Sequence, residues 1–205
     1  VIDNEEYVNQ LLSELPIDKY CLRIVIENEK FSELNLEDKE KAIQKYKSTE
    51  KYINFQSAIK KQWRKYFLAA FDIGLFKDEH KDEILDRIMG LEKELQKDQT
   101  EHFRGALAVC CVSYVLIELF GMTVAPHQRS NVEPSHDLDV NKENLYFKVE
   151  VKAPERELDV PPGQSFSGDD CEQIIIRMLR AKDQGSDFVC IVNDLTTQFG
   201  KHGIY

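Results

Sequence analysis

Apolar positions in the first half of the chain recur at helical spacing. Tyr7, Val8, Leu11, Leu12 and Leu15 make one face of a helix that opens at Asn4-Glu5-Glu6 and is stopped by Pro16. A second helix runs from about Asp18 with Leu22, Val25 and Ile26 inward, and a third starts at Leu36-Glu37-Asp38 and carries Ala42, Ile43 and Tyr46. The spacing of Trp63, Phe67 and Phe71 predicts a fourth helix over 55–71, with Gly74 as its stop. Ile84, Ile88, Leu91 and Leu95 predict a fifth over 78–99. The absence of proline between Pro16 and Pro126 suits a helical region over residues 1–98.

The pattern then changes. Phe103–Phe120 is apolar nearly all round, which marks a buried helix, and Gly121 ends it. Met122–Pro126, Asp137–Val140 and Leu145–Ala153 have the β-branched and aromatic content of strands, with a turn at Asn141–Asn144. A polar loop over 154–168 leads to a helix over 169–184, capped by Ser167, with Ile174, Ile175, Met178 and Leu179 inward. Asp187–Asp194 contains Phe188-Val189-Cys190-Ile191-Val192, a run of the kind buried on both faces of a sheet. The predicted class is α/β: a helical N-terminal half, then a mixed central sheet flanked by helices over residues 99–205.

Composition adds limits. Of 205 residues, 42% are hydrophobic and 31% charged, so a folded, water-soluble chain is expected. The longest uncharged run, Gly105–Ile117, is too short to span a bilayer, which needs about 20 apolar residues. No basic-then-apolar leader opens the sequence, so the expected location is cytoplasmic. The first residue is Val1, as in a trimmed or excised fragment. The five cysteines form no C-x-x-C and read as reduced thiols in apolar surroundings. Nucleotide-binding G-x-x-x-x-G-K-[ST] and G-x-G-x-x-G, zinc-protease H-E-x-x-H and serine-hydrolase G-x-S-x-G motifs are all missing.

The net charge of −10 argues against indiscriminate DNA binding. Between Lys39 and Lys65, however, nine basic residues face only two acidic ones, with Tyr46, Tyr52, Phe55, Trp63, Tyr66 and Phe67 interleaved. Lys60, Lys61, Arg64 and Lys65 are the candidate phosphate contacts. The competing reading is a solvated helix face whose aromatics turn into the core.

The stretch Pro134–Pro154 carries the candidate chemistry. Asp137 and Asp139 alternate on one strand, and Glu150 and Lys152 share a face of the next. Two carboxylates brought together by a hairpin can bind a hard divalent cation, and a lysine beside them can hold a water or stabilise charge on a phosphate. A surface hairpin with a cross-strand Glu/Lys pair is the plainer alternative.

These residues resemble the PD-(D/E)XK, or restriction-endonuclease-like, nucleases. Their signature is an Asp, a gap, then Asp or Glu, any residue, and Lys. Here Asp137 or Asp139 matches the first position and Glu150-Val151-Lys152 the rest, while His136 stands where the family has Pro. The order helix, three strands, helix, strand also matches, over roughly residues 101–194. The resemblance implies a Mg²⁺- or Mn²⁺-dependent phosphodiesterase cutting DNA, in restriction, repair or phage defence. Asp137, Glu150 and Lys152 would be catalytic, and Asp137, Asp139, Glu150 and Glu101 the metal ligands. Glu101 is preferred to Glu118 because it opens the first core helix. In Ala181-Lys182-Asp183-Gln184, Gln184 would line the nucleic-acid cleft. A homodimer or a larger defence or repair complex is the expected setting. An inactive nuclease-like binding or assembly module, and an RNA-cutting enzyme using the same residues, are the alternatives.

Overall fold

One proline, three glycines and one threonine set the limits of the main helices. In the computed structural model, which describes residues 3–28, 35–127, 136–153, 179, 182 and 185–192, α1 (Asn4–Glu14) ends at Leu15, held extended before Pro16. Helix α2 (Ile17–Asn28) follows directly, and α3 spans Leu36–Lys47. Helix α4 (Glu50–Asp72) starts five residues before the expected Phe55, because the Thr49 side chain accepts the Tyr52 N–H and caps it. It ends at Gly74, whose φ of +87° lets the Gly74 and Leu75 N–H groups turn back to the carbonyls of Phe71 and Ala70. The single helix expected over 78–99 is two, α5 (Asp78–Met89) and α6 (Leu91–Gln96), divided at Gly90.

Helix α7 (Glu101–Glu118) is the centre of the fold. Its all-round apolar surface is buried against α4 and α5 on one side and against the sheet on the other. The hydrophobic core is continuous through it, from Val8 and Trp63 in the helical half to Val140 and Val151 in the sheet. Gly121, at φ +61°, ends α7 and turns the chain into the sheet.

The sheet is mixed, in the order β1 (Thr123–Pro126), β2 (Leu138–Lys142), β3 (Leu145–Lys152), β4 (Phe188–Ile191). The first three strands are antiparallel, and β4 runs parallel to β3. Glu143 and Asn144 form the β2–β3 turn, with Glu143 at φ +55°. Val124, Leu138, Val140, Val149 and Val151 face α7, so the alternate residues, including Asp139, Lys148, Glu150 and Lys152, lie on the opposite face.

Strand β4 is shorter than the expected Asp187–Asp194 and is not buried on both faces. Phe188, at the start of β4, is 57% exposed, and its ring meets that of Phe147 edge-on with centroids 5.3 Å apart. Of the helix expected over 169–184, only residues 179 and 182 are described; both are helical, and Leu179, expected inward, is instead exposed, while Gln184 lies outside the described residues. Among the described residues, no helix is long and apolar enough to cross a membrane.

Candidate functional site

The end of β3 gathers three of the predicted residues. Strand β3 outruns β2 there, since the paired register stops at Leu138 opposite Val149. One step further, Asp137 falls beside Glu150, and its Oδ2 accepts the Val151 N–H at 2.7 Å. The Asp137 carboxylate thus takes the place of a missing ladder carbonyl and lies against the backbone between Glu150 and Lys152. Glu150 is only 4% exposed. Its Oε1 is ion-paired with the Lys152 ammonium, which stands two residues along the same strand face.

A buried carboxylate at the end of a strand is costly unless it is compensated. Lys152 supplies that compensation. The Glu150–Lys152 pair and the Asp137 carboxylate, bonded to the backbone of the residue between them, thus share one strand end, and both carboxylates offer hard oxygen donors of the kind Mg²⁺ or Mn²⁺ takes.

Asp139 does not join this group. It accepts hydrogen bonds from His127 Nδ1 at 3.0 Å, His136 Nε2 at 2.6 Å and the Tyr146 hydroxyl. Burial alone would raise its pKa, but the bonds from Tyr146, His136 and His127 outweigh that and hold the carboxyl below its ordinary range. The two imidazoles stack with centroids 3.8 Å apart, and His136 is 3% exposed. The role of His127 is not visible in the sequence, where it lies far from Asp139. Only the pairing of Ala125 with Asp139 brings it alongside.

Glu101 is exposed in the first turn of α7, and no hydrogen bond or ion pair among the described residues joins it to Asp137, Glu150 or Lys152. Two residues on, the Phe103 ring packs on Tyr20 and Trp63 in the helical half. Glu94, not Glu101, accepts the Phe103 N–H at 3.2 Å. Glu118 is also exposed.

The basic stretch divides. Tyr52, Trp63, Tyr66 and Phe67 are buried, so these rings are core and cannot stack on bases. Arg64 pairs with Glu5 at 2.9 Å and its Nε reaches Asn9. Lys60, Lys61 and Lys65 are exposed on α4, where Lys65 also stands 5.9 Å over the Tyr114 ring. Helix α7 and the sheet separate this stripe from the carboxylate face. If the three lysines hold phosphates, changing all three to Glu flattens the log–log salt dependence of DNA binding by about 0.9 for each phosphate no longer neutralised. An unchanged slope in filter binding assigns them to a solvated face.

Thiol chemistry has no support among the described cysteines. Burial pushes Cys21 and Cys111 up to about 12 and Cys190 up to about 11, so these thiols stay protonated near neutrality.

No family model, no curated protein and no solved structure matches this chain.

Proposed function

We propose that the chain is a metal-dependent nuclease of the PD-(D/E)XK kind, hydrolysing phosphodiester bonds of DNA. The observation that carries this reading is the Asp137 carboxylate held against the β3 backbone between buried Glu150 and its ion-pair partner Lys152. The run of one helix and three antiparallel strands, with a later strand parallel to the third, supports it.

Asp137 and Glu150 would hold Mg²⁺ or Mn²⁺. When bound, the cation neutralises phosphate charge and lowers the pKa of a coordinated water. The residues of the chain do the rest. The Asp137–Val151 hydrogen bond fixes one carboxylate, and burial excludes bulk water from the other. Lys152, with three donors and a flexible stem, is the group that holds the attacking water or a phosphate oxygen. Restriction, repair and phage defence are the settings this activity fits, alone or within a homodimer or larger complex.

One observation favours the second reading, an inactive nuclease-like binding module. The exposed lysines of α4 lie on the far side of α7 from the carboxylates. A Mg²⁺ titration followed by thermal unfolding separates the two. The nuclease reading expects stabilisation of about 2.7 kcal/mol at a hundredfold excess over Kd, absent in Glu150→Ala and in Asp137→Asn. A wild-type midpoint that does not respond to Mg²⁺ rules out the metal centre.

A further inference from the structure

We propose that His127, His136 and Asp139 form a second metal site, separate from the Asp137–Glu150 pair, that takes a divalent transition ion of the zinc class. The inference rests on its own geometry and does not depend on the nuclease reading.

The three ligands come together by strand pairing. Pro126 pairs with Leu138 and Ala125 with Asp139, so the residue that follows β1 meets the residues that open β2. The His127 N–H donates to the Asp137 carbonyl at 3.1 Å and fixes the backbone on the His127 side. One ligand atom from each of the three side chains lies within 4.8 Å of the others. Each imidazole is turned to a different oxygen of one carboxylate, His127 to Oδ2 at 3.0 Å and His136 to Oδ1 at 2.6 Å. Neighbouring ligand atoms around a tetrahedral zinc stand roughly 3.3 Å apart, given bonds of about 2.0–2.1 Å. The observed spacings are slightly shorter, so a small outward rotation of the rings opens the space an ion needs.

The donor chemistry selects the ion. Two imidazole nitrogens and one carboxylate suit zinc, cobalt or nickel, whereas Mg²⁺ favours an all-oxygen set. The nitrogens now facing Asp139 carry the hydrogens of those bonds, because an ionised carboxylate only accepts. To ligate, each neutral ring must carry its proton on its other nitrogen. The Tyr146 hydroxyl, donating to Asp139 Oδ1, orients the carboxylate that the ion would share. His136, buried at 3% exposure, gives the site a fixed inner wall, and His127, with 29% of its side chain exposed, leaves an entry side. An ion held here cross-links the end of β1 to the start of β2.

Co²⁺ is the probe, added to the full chain and followed by its visible absorption, with Zn²⁺ as competitor. The site expects one equivalent of Co²⁺ with the intense bands of a low-symmetry complex, displaced by Zn²⁺ and not by excess Mg²⁺. His127→Ala, a change at a partly exposed position, should abolish the signal while keeping the far-ultraviolet circular dichroism of the wild type. Tyr146→Phe should weaken binding about 10–100-fold, the range for removing a group that orients a ligand. Glu150→Gln should leave the titration unchanged. The site is refuted if the wild type takes up no stoichiometric Co²⁺, or if His127→Ala and His127→Gln both bind as the wild type does. Loss of the signal in Glu150→Gln would also refute it, since the ion would then sit in the carboxylate pair.

Discussion

Lys152→Met lowers the unfolding free energy of the metal-free protein by about 3 kcal/mol at neutral pH. The pair it breaks has one partner at 5% side-chain exposure and the other at 28%. Removing the cationic partner of a buried ion pair typically costs about 3–5 kcal/mol, because the remaining charge is left in a poor solvent, and the partial exposure of Lys152 sets the lower end. Mg²⁺ should restore a good part of the loss, since a cation beside Glu150 replaces the ammonium. The double change Glu150→Gln/Lys152→Met should be much less damaging than Lys152→Met. Urea unfolding of the wild type, both single variants and the double variant, with and without Mg²⁺, reads all of this. A Lys152→Met cost below about 1 kcal/mol would place the pair in the class of solvent-screened surface bridges.

Trp63→Ala should cost about 3–5 kcal/mol, the range for removing a large aromatic side chain from a core. Trp63 is fully buried, and its ring lies 5.1 Å from Tyr20, 5.1 Å from Phe103 and 6.3 Å from Phe67, joining α2, α4 and α7. The measurement also checks the placement of Trp63 in the core. A base-stacking tryptophan would leave stability nearly intact and weaken nucleic-acid binding, whereas a core tryptophan shifts the urea midpoint directly.

Local signals in the sequence were enough for the limits of several elements. Gly74 and Gly121 adopt left-handed backbone where the apolar periodicity stops, and Pro16 holds Leu15 extended. The three antiparallel strands follow from their own alternation and the short polar turn. The start of α4 was less legible, since Thr49 acts as a cap only in its folded geometry. Gly90 divides a helix that periodicity alone carries straight through.

At the site, the Glu150–Lys152 pair was legible because both lie on one strand and strand alternation is local. The choice between Asp137 and Asp139 was not. It depends on where β2 stops against β3 and on which side chains flank each aspartate. Asp139 is occupied by two histidines, one delivered by β1, and that meeting is set by register, which composition does not reveal. Glu101 illustrates the same limit. Its place in the first turn of α7 followed from the sequence, but the packing of Phe103 on Tyr20 and Trp63 set that turn within the helical half.

The most direct test is a cleavage assay on plasmid, linear, single-stranded and branched DNA and on RNA, with Mg²⁺ and Mn²⁺ in turn. The proposed centre predicts cleavage of at least one DNA substrate, stopped by chelation and absent in Asp137→Asn and Glu150→Gln. Lys152→Ala should lose about 10²–10³ in rate, the usual range for removing one charge-stabilising donor. Wild-type protein that cuts none of the substrates with either metal, or a Lys152→Ala protein that cuts DNA at the wild-type rate, would contradict the proposed centre.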